Sequence, residues 1–259
     1  MSIDPTQRFS NRVDDYVRYR PRYPAAVLDL MRAEMGLRPE HVIVDVGSGT
    51  GFLTELFLAA GHRVFGVEPN AEMRAAGERH LANWSSFTSV SGTAEATVLG
   101  AQTADFVVAG QAFHWFRPAE TRREFQRILK PSGWVGLIWN DRQADQSGVF
   151  SAYEKLIRDF RTDGAAEKSR VALLSESGEL AAFFAPQPSH RRVMPGLTQK
   201  FDFEGLKGRL LSSSYAPPPG HPRHDAMIAE LRRIFDQHQR GGRVRFEHTT
   251  EINYGRLDD

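Results

Sequence analysis

Residues 42 to 51, Val-Ile-Val-Asp-Val-Gly-Ser-Gly-Thr-Gly, end an apolar β-branched run in a loop with glycine at positions 47, 49 and 51. Alternate glycines let a backbone turn sharply and come within contact distance of a bound molecule, because a Cβ there would clash or forbid the required φ. The helix expected from Phe52 to Ala60 points its free amides back at that loop, where they favour a carboxylate or phosphate. A nucleotide-like ligand with an acidic tail suits such a cradle; a plain strand-to-helix turn is the other reading. The spacing is G-x-G-x-G, since Phe52 holds the sixth position, where a dinucleotide fingerprint wants glycine. A second chemical group follows at Glu68, which ends Arg63-Val-Phe-Gly-Val-Glu68 twenty-one residues after Gly47. A carboxylate at the tip of a second strand can accept hydrogen bonds from both hydroxyls of a ribose. A third is His114, four residues past Gly110. Its imidazole, with an unperturbed pKa of about 6.5, either takes a proton from an acceptor or shapes a pocket together with Trp115.

The elements that must position these groups alternate along the chain. Strands are expected at Val42 to Val46, Val64 to Val67, Ser86 to Val90, Ala104 to Ala109 and Trp134 to Trp139. Between them lie helices at Phe52 to Ala60, at Ala71 to Leu81 behind an Asn70 cap, and at Ala119 to Leu129. An earlier amphipathic helix, Ala25 to Met35, closes at Gly36. Such βαβ alternation predicts an α/β, doubly wound parallel sheet with ligands at the carboxyl ends of the strands. Asp45, Glu68 and Gly110 all fall at such ends. Later, Phe150 to Asp163, Phe203 to Leu211 and Asp225 to Gln239 read as helices, and His190 to Phe201 and Arg243 to Tyr254 as strands. Ser212 to Gly220, with its three prolines, reads as a loop.

Taken together, these stretches resemble a class I S-adenosylmethionine-dependent methyltransferase. Val42 to Gly51 is similar to that family's first motif, Gly66-Val-Glu-Pro-Asn70 to its second and Ser91-Gly-Thr-Ala-Glu95 to its third. Leu129-Lys-Pro-Ser-Gly133 resembles the Leu-Lys-Pro-Gly-Gly turn before the fifth strand. Gly110-Gln-Ala-Phe-His-Trp-Phe116 and Tyr19-Arg-Pro-Arg-Tyr-Pro24 are similar to the small-molecule, trans-aconitate methyltransferase-like subgroup. The resemblance implies a Rossmann-like sheet of seven strands with the last antiparallel, S-adenosylmethionine as cofactor, and methyl transfer to a small-molecule acceptor, anionic or hydroxylated. It also implies roles. Asp45, Gly47, Ser48, Gly49 and Gly51 would hold the methionine portion, Glu68 the ribose, and Pro69 and Met73 the adenine. Ala94 would offer an amide to the ring, Thr93 or Glu95 would replace an acid that many relatives carry, and Gly110 or Gln111 would offer a carbonyl to the cofactor's amino group. Tyr19, Arg20 and Tyr23 belong to a lid, and Trp115, Trp139 and Asn140 face the acceptor. The implied layout is one domain over 1–259, with a lid and first helix at 1–40, a cofactor core at 41–165, and late strands with a substrate-side insert at 166–259.

Composition narrows the alternatives. Zero cysteines among 259 residues exclude disulfides, thiolate metal sites and a cysteine nucleophile. His221 and His224 lie beside Pro222 in the loop, so no metal is expected. No apolar run approaches the about 20 residues of a membrane helix, and the first residues lack a signal-peptide pattern, so a cytoplasmic protein without membrane or nucleic-acid partners is expected. The net charge of +1 hides three basic against eight acidic residues over 40–110 and eleven against five over 186–245. That asymmetry favours an anionic substrate where the two parts meet, or marks two solvated surfaces. Against a nicotinamide dinucleotide oxidoreductase stands the missing sixth-position glycine. Against RNA stands the lack of an Asn-Pro-Pro-Tyr motif after the fourth strand, and a protein acceptor is the remaining alternative.

Overall fold

The computed structural model describes residues 17–142, 148–162, 178–213 and 215–258. The first part of the expected lid, Asp163, the boundary at 165/166 and Ser214 of the proline loop lie outside them. The elements run α1 Ala26–Met35, β1 Val42–Val46, α2 Phe52–Ala59, β2 Arg63–Val67, α3 Ala71–His80, β3 Phe87–Val90 and β4 Ala104–Gly110. A 3-10 turn at Phe113–Trp115 precedes α4 Pro118–Ile128 and β5 Leu129–Arg142. Then come α5 Val149–Phe160, α6 Glu179–Phe184, β6 Ser189–Pro195, β7 Gln199–Phe201, α7 Phe203–Leu211, α8 His224–His238, β8 Val244–Phe246 and β9 His248–Gly255.

Seven strands form one sheet in the order β3-β2-β1-β4-β5-β9-β6. The first five are parallel, and β9 lies antiparallel to both β5 and β6. The order reverses between β1 and β4, which opens a crevice at their carboxyl ends. Alternate residues of each strand feed two apolar layers, as the two-residue period requires. Ile43, Phe106 and Val108 pack under α1 and α2 with Met31, Leu53 and Phe57. Val44, Val107, Ala109 and Trp139 pack under α4 and α6 with Phe125, Ile128 and Phe183. A third apolar cluster unites α5, α7, α8, β7 and β8 around Tyr153, Leu206, Leu231 and Phe246. Among the described residues no helix is long and apolar enough to cross a membrane.

Three sequence expectations change. The expected strand His190 to Phe201 breaks after Pro195, which has no amide to continue a ladder, and Gly196 donates to the His248 carbonyl at 2.8 Å. Its partner, Arg243 to Tyr254, breaks at Glu247 at the same corner, so β6 and β9 stay in the large sheet while β7 and β8 form a separate ribbon. The fifth strand starts at Leu129, before the expected turn. Ala104 pairs with Leu129 but Phe106 with Trp134, so Lys130 to Gly133 bulge out of the ladder, with Ser132 at φ +64°. Finally, α6 has no counterpart among the expected elements; it covers the sheet through Phe183 and Phe184.

Candidate functional site

The glycine loop continues the β1–β2 ladder and then leaves it. Gly47 and Ser48 donate to the Val67 carbonyl at 2.8 and 3.1 Å. Gly47, Gly49 and Gly51 stand at φ +70°, +55° and +86°, a left-handed region closed to most side chains. A Cβ at Gly47 would meet that of Ala112 at 2.6 Å, and one at Gly51 would meet Leu81 at the same distance. Gly51 caps α2, so the unpaired amides of the first helical turn face the loop. Ser48 packs its hydroxyl against Gly66, and Met73 of α3 closes on Gly49.

Two buried acids flank this loop. Glu68, 8% exposed, accepts from the Gly49 amide at 2.9 Å and from the Asn70 amide at 2.8 Å. Burial pushes its carboxyl above the usual range, and those amide bonds and Arg74 pull it back. Asp45, 1% exposed, accepts from the Thr54 hydroxyl at 2.7 Å through Oδ2, while its buried Oδ1 has no partner among the described residues. Burial lifts its pKa to about 7; the Thr54 bond opposes this, and the charge of Glu68 adds to it. The composition of α2 carries the signal for Thr54: in the start Phe-Leu-Thr-Glu-Leu-Phe it falls on the apolar side, away from the charged Glu55, where a hydroxyl needs a buried partner. Sequence reasoning missed it.

The wall beyond Glu68 is the turn at Thr93, whose amide and carbonyl pair with those of Ala96 at 3.1 and 3.2 Å. Ala94 is buried there, and Pro69 is half-buried opposite. Glu95 turns toward α4 and accepts the Arg117 amide at 2.9 Å. Its Oε1 is thereby committed to a helix start, so Thr93 is the freer of the two residues weighed for the adenine contact.

At the end of β4 the N-terminal segment crosses the crevice as a strap. A Cβ on Gly110 would lie 2.5 Å from the Tyr23 hydroxyl and 3.1 Å from Leu53. Tyr19 lies against Gly208 of α7, leaving no room there for a side chain, and its carbonyl accepts from Gln199. Arg20 donates to Ser212 and Ser213 at 3.1 to 3.2 Å, which places its charge at the end of α7. Arg22 pairs with Glu55 and lies over the Phe52 ring. The strap thus spans from the third apolar cluster to the start of α2. Gln111 follows Gly110 at φ +57°, and the 3-10 turn then sets the half-buried His114 and Trp115 side by side, ring centroids 4.9 Å apart. Trp139, read from sequence as an acceptor-side residue, is fully buried beneath that turn, edge-on to Phe113. Asn140 bonds to the strap itself.

Much of the late basic charge is spent on local pairs, Arg191 with Glu251, Arg192 with Glu34, Arg233 with Glu230 and Arg245 with Glu247. Where both side chains reach solvent, as in all but the pair on the buried Glu251, such pairs contribute about 0–1 kcal/mol each. Their main effect is to neutralise the asymmetry seen along the sequence.

Comparison with known proteins agrees with this geometry. An uncharacterized methyltransferase of Mycobacterium tuberculosis is 34% identical over 66% of this chain and 65% of its own length. An uncharacterized methyltransferase-like protein of Schizosaccharomyces pombe is 31% identical over 60% of this chain and 59% of its own. The chain thus spans about two thirds or less of these curated relatives. Among solved structures, a type II methyltransferase candidate from Anaeromyxobacter dehalogenans superposes with a TM-score of 0.65 at 22% identity, covering 92% of this chain and 98% of that one. The YcgJ protein of Bacillus subtilis does so at 0.54 and 21%, covering 89% and 97%. Residues 44–137, from the middle of β1 into β5, match the family model described as a methyltransferase domain, and that stretch sits in a fold shared with the solved structures above.

Proposed function

We propose that this protein transfers a methyl group from S-adenosylmethionine to a small-molecule acceptor bearing a carboxylate or hydroxyl. The observation that carries the reading is the pair of buried acids on either side of a left-handed glycine loop at the β1/β4 crevice. Asp45 Oδ1 is a buried acceptor with no partner among the described residues, beside a second carboxylate, a place that rewards a cation. Glu68 has lone pairs left after its two amide bonds, enough for a pair of hydroxyls. One nucleoside carrying an amino acid has both an ammonium and a ribose diol, and the residues present fit it.

The chemistry that bound S-adenosylmethionine supplies is a methyl group activated on a sulfonium. The chain's own part is to bind, orient and dry the site. Glu68 orders the ribose and, through Gly49, the glycine loop. Asp45 holds the ammonium end, and the strap, with Tyr23 over Gly110, keeps water from the β4 end. In-line placement and water exclusion are what such a transfer needs most. His114 stands on the turn that leaves β4 and would take the proton of a hydroxyl acceptor; an anionic acceptor needs no base.

Calorimetric titration with S-adenosylmethionine, followed by a screen of small carboxylic acids and phenols for release of S-adenosylhomocysteine, tests the reading. Saturable binding and turnover of one such class are expected. Binding of a nicotinamide dinucleotide instead, or transfer confined to RNA or protein acceptors, would overturn it.

A further inference from the structure

The strap's attachment to the sheet converges on one side chain. Asn140 stands near the carboxyl end of β5, opposite Thr250 of β9. Its Nδ2 donates to the Arg22 carbonyl at 3.1 Å, its Oδ1 accepts from the Thr250 hydroxyl at 2.6 Å, and its backbone carbonyl accepts from Gln111 Nε2 at 2.8 Å. The amide has one orientation that satisfies both side-chain bonds. A carbonyl can only accept, so the nitrogen must face Arg22 and the oxygen the hydroxyl.

Each of those partners leads to the site. Arg22 precedes Tyr23, whose hydroxyl covers Gly110. Gln111 holds a left-handed φ of +57°, and such strain persists where surrounding bonds over-determine it. Here its amide donates to the Ile138 carbonyl at 2.9 Å and its side chain to Asn140. The turn carrying His114 starts from that fixed point. Both ends of the Asn140 amide are tied to the fold, one N–H to the strap and one lone pair to β9, so its orientation is set by the fold.

We propose that Asn140 is a positioning residue that latches the strap at Arg22, so that Tyr23 stays closed over Gly110 and bound cofactor leaves slowly. This rests on the reading of the crevice as a cofactor pocket. Asn140→Asp keeps the shape and the acceptor for Thr250 but turns a second acceptor on the Arg22 carbonyl. Thr250→Val keeps the amide and frees it to rotate, a milder version of the same loss.

Two measurements on the whole protein at pH 8 separate the latch from the cofactor reading. The first is the rate of tryptic cleavage at the Arg22–Tyr23 bond, followed by mass spectrometry without ligand. It should rise about three- to tenfold in Asn140→Asp, the population shift that loss of one hydrogen bond gives, and less in Thr250→Val. Cleavage after Arg63, inside β2, should not change. The second is the dissociation rate of S-adenosylhomocysteine by stopped flow, which should rise by a similar factor. Equal cleavage at Arg22–Tyr23 in all three proteins overturns the latch, as does faster cleavage at Arg63 to the same degree, which would mark Asn140 as a general stabiliser. A wild type that binds no S-adenosylhomocysteine overturns the cofactor reading, and the cleavage arm then decides the latch alone.

Discussion

Replacing Asp45 by asparagine should make the ligand-free protein more stable at alkaline pH while weakening its hold on cofactor. The carboxyl titrates at about 7 in the folded chain against 3.8 as its reference, so between those values the folded state binds a proton that the unfolded state has released. Stability must therefore fall as pH rises from about 4 to about 7. At 1.36 kcal/mol per unit the full loss is about 4 kcal/mol, of which about 3 kcal/mol falls between pH 5 and pH 8. Asparagine is neutral throughout and can still accept from the Thr54 hydroxyl, so the variant should escape that loss. Thermal unfolding of both proteins at pH 5 and pH 8 measures it, with an expected gain for Asp45→Asn at pH 8 worth about 6–12 °C in Tm for a chain of this size. The comparison between the two proteins cancels His62 and His80, whose own titrations are shifted by burial. Affinity for S-adenosylmethionine should fall about tenfold or more at pH 8, the cost of losing one hydrogen bond to a charged group. Parallel loss of stability from pH 5 to pH 8 in wild type and variant would refute the argument, because the buried carboxyl would then not be what titrates.

Glu68→Ala strips the acceptor from the Gly49 and Asn70 amides, so calorimetry should show cofactor affinity weakened by about 1–3 kcal/mol; unchanged affinity removes Glu68 from the site. Gly49→Val forces a branched side chain into φ +55° with its Cβ about 3.3 Å from Met73. Circular dichroism should show a folded protein and titration no cofactor binding, whereas joint loss of fold and binding would make the glycine structural first. Glu124→Ala breaks a cluster behind the Thr93–Ala96 turn in which that carboxylate accepts from Thr97 and Arg127; the unfolding free energy from denaturant curves should drop by about 3 kcal/mol. His114→Ala, once an acceptor is found, should lower turnover about 10²- to 10⁴-fold and flatten its rise with pH if the imidazole takes a proton, and should raise the Michaelis constant instead if it shapes the pocket.

The cofactor half was legible because its chemistry and its backbone demands coincide in sequence. Glycines at 47, 49 and 51 are needed for their φ, Asn70 caps α3 by accepting from Glu72 and Met73, and short β-branched runs bounded by turn residues favour strands buried on both faces. The late half was less legible since its strands change partners. Nothing in the alternation of His190 to Phe201 marks the point where a strand leaves one sheet for another, although Pro195-Gly196 interrupts it. The bulge at Lys130 to Gly133 was read as a turn for the same residues that make it leave the ladder. Glu95 and Arg20 were placed by resemblance to the family's motifs, and their hydrogen bonds go to residues 22 and 192 positions away in the chain.

Asp45 also explains why the site can be both fragile and specific. A buried acid with an unused lone pair costs stability progressively from about pH 4 and in full above about pH 7, and the group that would restore it is a cation bound at Oδ1. Glu68 raises that cost through its charge, while its own bonds to Gly49 and Asn70 keep the loop in the shape a ligand meets. Binding is then the step that relieves the electrostatic strain between the two carboxylates, so an anionic or neutral analogue with the same shape gains the contacts but not the relief. The nucleoside lacking the amino acid should bind far more weakly to wild type than S-adenosylhomocysteine, and this gap should narrow in Asp45→Asn. A gap of equal size in both proteins would place the ammonium elsewhere and leave the raised carboxyl of Asp45 as a matter of folding alone.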